Sequence, residues 1–155
     1  MKEHHGLDGR VRIVLRDQSG AMVEQRMVHN LITTEGRKLL GKLFIGTADK
    51  PEFSIAVGSS ATAPAISDTA LGNKLDAAKA TMASPRIDEN NPKQVVVTVS
   101  ATLPTDEARA DQALTEAGIL ITLPGQPPVL YNHVVFPVIT RTGKLEMTLS
   151  WEVIF

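Results

Sequence analysis

The chain has 155 residues, with 16 Lys and Arg against 17 Asp and Glu, a formal net charge of −1 and no cysteine. That length suits a single domain, 1–155, with a sizeable core. The even charge balance argues against a polyanionic partner, and the lack of cysteine removes disulfides, thiolate nucleophiles and cysteine-ligated metals.

The front of the chain holds Arg10, Arg12, Arg16, Arg26, Arg37, Lys38 and Lys42, but Asp8, Asp17, Glu24 and Glu35 are interleaved with them. Solvated strand and helix faces follow from that pattern, and no nucleic-acid stripe. Residues 1–9 read as a flexible terminus, and 1–6 lack the apolar stretch of a secretion signal, so export by the general route is not expected. The longest stretch free of Asp, Glu, Lys and Arg, 117–140, is broken by Pro124, Gly125, Pro127, Pro128, Asn132 and Pro137. It divides into strands and turns, and no membrane insertion is expected.

In chain order, Val11, Ile13 and Leu15 alternate with Arg10, Arg12, Val14 and Arg16, predicting a half-buried strand over 10–16. Asp17-Gln18-Ser19-Gly20 supplies turn chemistry, and 21–29 reads as the return strand of a hairpin. A helix is predicted over 34–44, where Thr33 or Thr34 can cap the first amides and Leu39, Leu40, Leu43 and Phe44 recur at helical spacing. Gly46 suits its exit. Residues 53–57 predict a short buried strand that stops at Gly58-Ser59-Ser60. A loop rich in Ala, Thr and Pro follows over 60–67, after which Ser67 or Asp68 can cap one helical turn through 71–75.

Further strands are predicted over 77–87, 94–103, 116–123 and 129–135, with 104–112 a loop or a short surface helix. The clearest alternation is at the carboxyl end, where Leu145, Met147, Leu149, Trp151, Val153 and Phe155 share one face. Each such side chain contributes about 1.5–3 kcal/mol when fully buried, so this strand anchors the core. Short strands separated by turns predict a mainly β, antiparallel β-sandwich-like domain with one or two short helices.

Chemical motifs are few. Gly36-Arg37-Lys38-Leu39-Leu40-Gly41-Lys42 has the spacing of a phosphate-binding loop, but Leu43 stands where a magnesium-binding hydroxyl is required. Leu39 and Leu40 there belong to the apolar face of a helix. His4 and His5 point apart on an extended chain, His29 ends a strand, and His133 reads as a strand-surface residue, so no metal site is expected. Asp106, Glu107, Asp111 and Glu116 cluster in sequence, but they read as a solvent-facing loop without the apolar surroundings that raise an acid's pKa. Ser59, Ser60 and Ser67 lack a nucleophile elbow. No catalytic residue and no cofactor is assigned.

Four pieces of sequence then stand in a particular order: Asn30-Leu31-Ile32-Thr33-Thr34-Glu35-Gly36-Arg37 with its helix; Ile55-Ala56-Val57-Gly58-Ser59-Ser60-Ala61-Thr62-Ala63-Pro64 running on to Asp68-Thr69-Ala70-Leu71; Leu114-Thr115-Glu116-Ala117-Gly118-Ile119-Leu120; and Trp151-Glu152-Val153-Ile154-Phe155. This layout resembles a group of small phage tail, baseplate and tail-fibre-associated proteins, also found in related contractile injection machines. The resemblance implies a virion or injection-particle component, assembled in the bacterial cytoplasm. It would act by contact with copies of itself, as a trimer or another symmetric oligomer, and with other tail or baseplate proteins.

The structural or interface candidates are Gly36 and Gly58, which permit backbone conformations or close approaches that a side chain forbids, Glu116 beside Gly118, which sets a carboxylate at the start of a buried strand, and Trp151. The rival reading is a carbohydrate-binding β-sandwich module, in which Tyr131 would contact the glycan and Trp151 belongs to the core; aromatics make up only 4% of the chain. A small hydrolase built from distant residues is the third.

Overall fold

The computed structural model describes residues 6–47 and 50–155, and these form two antiparallel sheets stacked face to face with one helix against them. The first sheet contains β1 (Asp8–Arg16), β2 (Met22–His29), β6 (Thr81–Met82), β7 (Arg86–Asp88), β8 (Asn91–Leu103) and β12 (Glu146–Ile154). Its order is β2-β1-β12-β8-β6, with β7 also on β8. The second contains β3 (Leu31–Ile32), β4 (Glu52–Gly58), β5 (Lys74–Lys79), β9 (Gln112–Thr122), β10 (Val129–Leu130) and β11 (Asn132–Arg141). Its order is β3-β11-β9-β4-β5, with β10 on β9. The helix α1 spans Thr34–Phe44.

Three strands set the core in phase. Val11 stands opposite Trp151 and Ile13 opposite Leu149, while Leu149 also faces Ala101 across β8. All five are buried, together with Leu15, Leu103 and Met147. A slip of one residue would turn every one of these side chains to solvent, so the apolar alternation fixes the register. From the second sheet, Ile55, Val57, Ala117, Ile119, Ile121 and Ile139 complete the same core. Val95 and Phe155 continue the alternation in sequence and exchange backbone hydrogen bonds with each other, yet both are exposed.

The turns follow from local chemistry. Gly20 takes φ +84 at the end of the β1–β2 turn, where the Asp17 carboxylate accepts from the Ser19 and Ala21 amides. Such a φ is open to glycine and strained for other residues. In α1, Thr33 Oγ1 accepts from the Gly36 amide at 3.0 Å. At the other end Gly46 takes φ +71 while Thr47 N donates to Lys42 O and Gly46 N to Leu43 O, a Schellman exit. The segment with phosphate-loop spacing, 36–42, lies wholly inside this helix. Leu39 is buried and Leu40 and Leu43 pack against the core, but Phe44 is 92% exposed. It falls a further 100° around the helix from Leu43, off the buried face.

Several expectations need correction. Residues 71–75 form no helical turn; Lys74 already opens β5, and Asp68 makes a different contact, described below. The single strand predicted over 77–87 is three pieces: β5 leaves the second sheet at Lys79, and β6 and β7 join the first, with Pro85 between them. Proline has no amide hydrogen for a ladder, which accounts for the break. Residues 104–111 are loop, and the strand expected over 129–135 is β10 followed by β11, whose register shifts between Val135 and Ile139, around Pro137. The terminus predicted to be flexible over 1–9 is already strand at Asp8 and Gly9; residues 1–5 lie outside the described residues.

Leu149 has no exposed surface at the centre of this arrangement. Leu149→Ala is expected to lower stability by about 2–5 kcal/mol. Urea unfolding would show an earlier midpoint with unchanged slope; a loss under 1 kcal/mol would mean the two sheets are not packed as described.

Candidate functional site

Along β9, Ala117, Ile119 and Ile121 face the core, so Glu116, Gly118 and Leu120 point out of the other side of the sheet. That side would be wet, but the chain between β4 and β5 lies across it. Leu71 from this loop joins Ala56, Leu120 and Leu130 in a second small apolar cluster. Glu116 is left with no exposed surface.

A buried carboxylate needs donors, and Glu116 has four. Its Oε1 accepts from the Asn73 amide at 2.7 Å and the Ser60 amide at 3.2 Å; its Oε2 accepts from the Gly72 amide at 2.9 Å and lies 2.8 Å from His133 Nε2. His133 Nδ1 lies 2.7 Å from Asp68 Oδ2, which also accepts from the Ala65 amide. Ionised carboxylates only accept, so each ring nitrogen of His133 faces an acceptor. The loop is thus tied down at both of its ends and in the middle. A further bond runs from the Thr34 amide to Ile66 O, joining the loop to the start of α1.

Electrostatics favour this arrangement. Burial alone would push the Glu116 carboxyl up, but the Asn73 and Gly72 amides, His133 and the Ser60 amide outweigh it and hold the group below the usual carboxylate range. For Asp68 burial also pushes upward, and the Ala65 amide together with the hydrogen bond and charge of His133 bring the net value down.

The glycines make room. A β-carbon at Gly58 would lie 2.5 Å from Glu116 Oε1, one at Gly118 would lie 2.5 Å from Asn132 O, and one at Gly36 would lie 2.6 Å from Tyr131 O. None of the three has a positive φ, so close approach is their role and not backbone conformation. Through Gly36 the helix sits on the Leu130–Tyr131 backbone, where Thr33 Oγ1 donates to Leu130 O.

Beneath the loop lies a second hub. Asn30 Oδ1 accepts from Trp151 Nε1 at 2.7 Å and from Asn132 Nδ2 at 3.3 Å, and Asn132 Oδ1 accepts from the Ile119 amide. Asn30 N donates to Gly9 O. One residue therefore links β1 through its backbone amide, β12 and β11 through its side chain and, by way of Asn132, β9.

All five candidate residues fall along these contacts: Gly58, Glu116 and Gly118 under the loop, Gly36 on Tyr131, and Trp151 on Asn30. Glu116 is not at the start of its strand but inside β9, and it is no solvent-facing partner of Asp106, Glu107 and Asp111, which are exposed. His133, expected at the surface, is buried. One signal could have found it: His133 is the only histidine in the 117–140 stretch, which holds no Asp, Glu, Lys or Arg. His29 ends β2, while His4 and His5 lie outside the described residues. Tyr131, the expected glycan contact, is buried, and burial pushes its phenol up to about 12 against the lowering charge of Arg37. Arg141, which no motif pointed to, is fully buried and donates to Asp76, Gln112 and Pro104 O.

No family model, curated protein or solved structure matches the chain. Its chemistry is therefore argued from these residues. Both ring nitrogens of His133 are engaged by carboxylates, which leaves neither free to take a proton from a nucleophile or to bind a metal. The arrangement is equipped to hold a loop.

Glu116→Gln puts an amide donor among amide donors, and a loss of about 3 kcal/mol or more at pH 7 is expected. The half-exposed Asp68 should be less sensitive as Asp68→Asn. A carboxyl lowered on folding binds more protons when unfolded, so its contribution is whole above about pH 5 and is lost as the pH falls through the folded value. Wild-type urea midpoints should hold from pH 7 to 5 and drop below pH 4, while Glu116→Gln starts lower and drops less. Parallel profiles for the two proteins would refute the assignment.

Proposed function

We propose that the chain is a non-enzymatic structural subunit of a phage tail or contractile injection apparatus, in a baseplate, collar or fibre attachment. It works by contact with copies of itself and with other tail or baseplate proteins, as a component of the virion or injection particle assembled in the bacterial cytoplasm. One observation carries this reading: the separate segments that resemble tail and baseplate modules meet in adjoining polar clusters at the same end of β11. Asn30, Thr33 and Gly36 come from the first, Gly58 and Asp68 from the second, Glu116 and Gly118 from the third and Trp151 from the last.

Glu116, Asp68 and His133 are satisfied by one another and by backbone amides, and Glu116 and His133 are buried away from any small molecule. A side-chain set spent in this way makes a rigid scaffold, and its outer surface is left for partners. The carbohydrate-binding alternative loses its stacking platform, since Tyr131 and Trp151 are both buried.

Light scattering of the purified chain at micromolar concentration, alone and mixed with the products of its neighbouring genes, tests the proposal. A symmetric oligomer, or a stoichiometric complex with tube, sheath or baseplate proteins, is the expected result. A strict monomer that binds none of them would overturn it.

A further inference from the structure

Strand edges differ in how they are protected. In the second sheet, β3 is two residues long and runs into α1, and β5 is flanked by Lys74 and Lys79. On one side of the first sheet the edge is broken into β6 and β7, of two and three residues. The other side is β2, eight residues paired among the described residues only with β1. It leaves Met22, Val23 and Met27 exposed by 51%, 57% and 47%. Beyond a register shift near Met22, the regular stretch 24–29 keeps an unpaired edge, and an edge of this kind can be joined by another strand.

We propose that β2 pairs antiparallel with β2 of a second copy, about a two-fold axis at Gln25, joining the two first sheets into one. This rests on the reading of the chain as an assembly subunit and names the contact. The register follows from parity and charge. A two-fold axis perpendicular to a sheet keeps the same face up, so opposed residues must share a face, and along one strand they then differ by an even number. Centring on Glu24 sets Glu24 against itself, and centring on Arg26 sets Arg26 against itself. Centring on Gln25 sets Glu24 against Arg26 twice and Val23 against Met27 twice, while Met22, beyond the register shift that β2 makes against Leu15 and Arg16, lies outside the regular pairing.

Within one chain Arg26 already bonds Glu24, with NH2 at 2.6 Å from Oε1. The Gln25-centred register extends that pair into an alternating square of four charges. It is the only one of the three central registers that matches charge and apolar contact together. The contact is isologous and gives a dimer, so a trimeric ring would have to use another surface.

Sedimentation velocity on the full chain provides the test. Wild type should dimerise; Glu24→Arg and Arg26→Glu, each placing like charges opposite twice, should weaken the dimer at least tenfold. The double swap Glu24→Arg with Arg26→Glu should restore it. Because the chain has no cysteine, oxidised Gln25→Cys should give a covalent dimer, and Glu24→Cys, facing Arg26, should not. An oligomer that persists unchanged in both single variants, or equal cross-linking at the two positions, overturns the β2 contact and leaves the assembly reading standing. A wild-type monomer overturns the contact too, and the mixing experiment with tail proteins then decides the assembly reading separately.

Discussion

The constraint from which most of this structure follows is the burial of one carboxylate. An ionised group removed from water without partners is penalised far beyond the stability of a small domain. Glu116 is tolerable only if donors reach it from several directions, and in this chain three are backbone amides of one loop. The path of residues 59–73, which have no regular secondary structure to guide them, is therefore dictated by a side chain on another strand. Gly58 is the geometric corollary, since a methyl group there would stand where the carboxylate and the covering backbone must lie.

Asn30 imposes a second condition, between the sheets instead of over one of them. Its carbonyl oxygen meets the indole of Trp151 from the first sheet and the amide of Asn132 from the second. Apolar contacts between sheets are forgiving of small shifts, whereas a hydrogen bond near 2.7 Å is not. The hub thus fixes how the sheets are set relative to each other after hydrophobic burial has brought them together. His133 adjoins Asn132, so the two polar systems share a stretch of β11 and cannot move independently.

How much of this could be read from the chain differs by the range of the interaction involved. Strands β1, β8 and β12 were legible because their apolar residues alternate against polar ones, and the period alone names the buried face. Helix α1 was legible to its end residues because Thr33 and Gly46 use cap chemistry that is local. The broken passage through β5, β6 and β7 was not, because which sheet each piece joins depends on distant partners. The site divides in the same way. Gly36 and Gly58 could be marked as positions where a side chain would not fit, but His133 read as a strand-surface residue and Glu116 as either part of a solvent-facing cluster or the opening of a buried strand. Nothing next to either in sequence announces that a loop from elsewhere will cover it.

That a loop is held by ionic and backbone donors, instead of by a broad apolar face, bears on what the outer surface can do. Leu71 is the single large apolar residue of the loop in the small cluster beneath it, so hydrophobic burial alone would leave the segment free to lift. The Asp68–His133–Glu116 chain makes its position discrete: either all three groups are matched or a buried charge is uncompensated. A surface fixed in that manner has one shape, and burying charge where leucine would have been cheaper to place exchanges some stability for that discreteness.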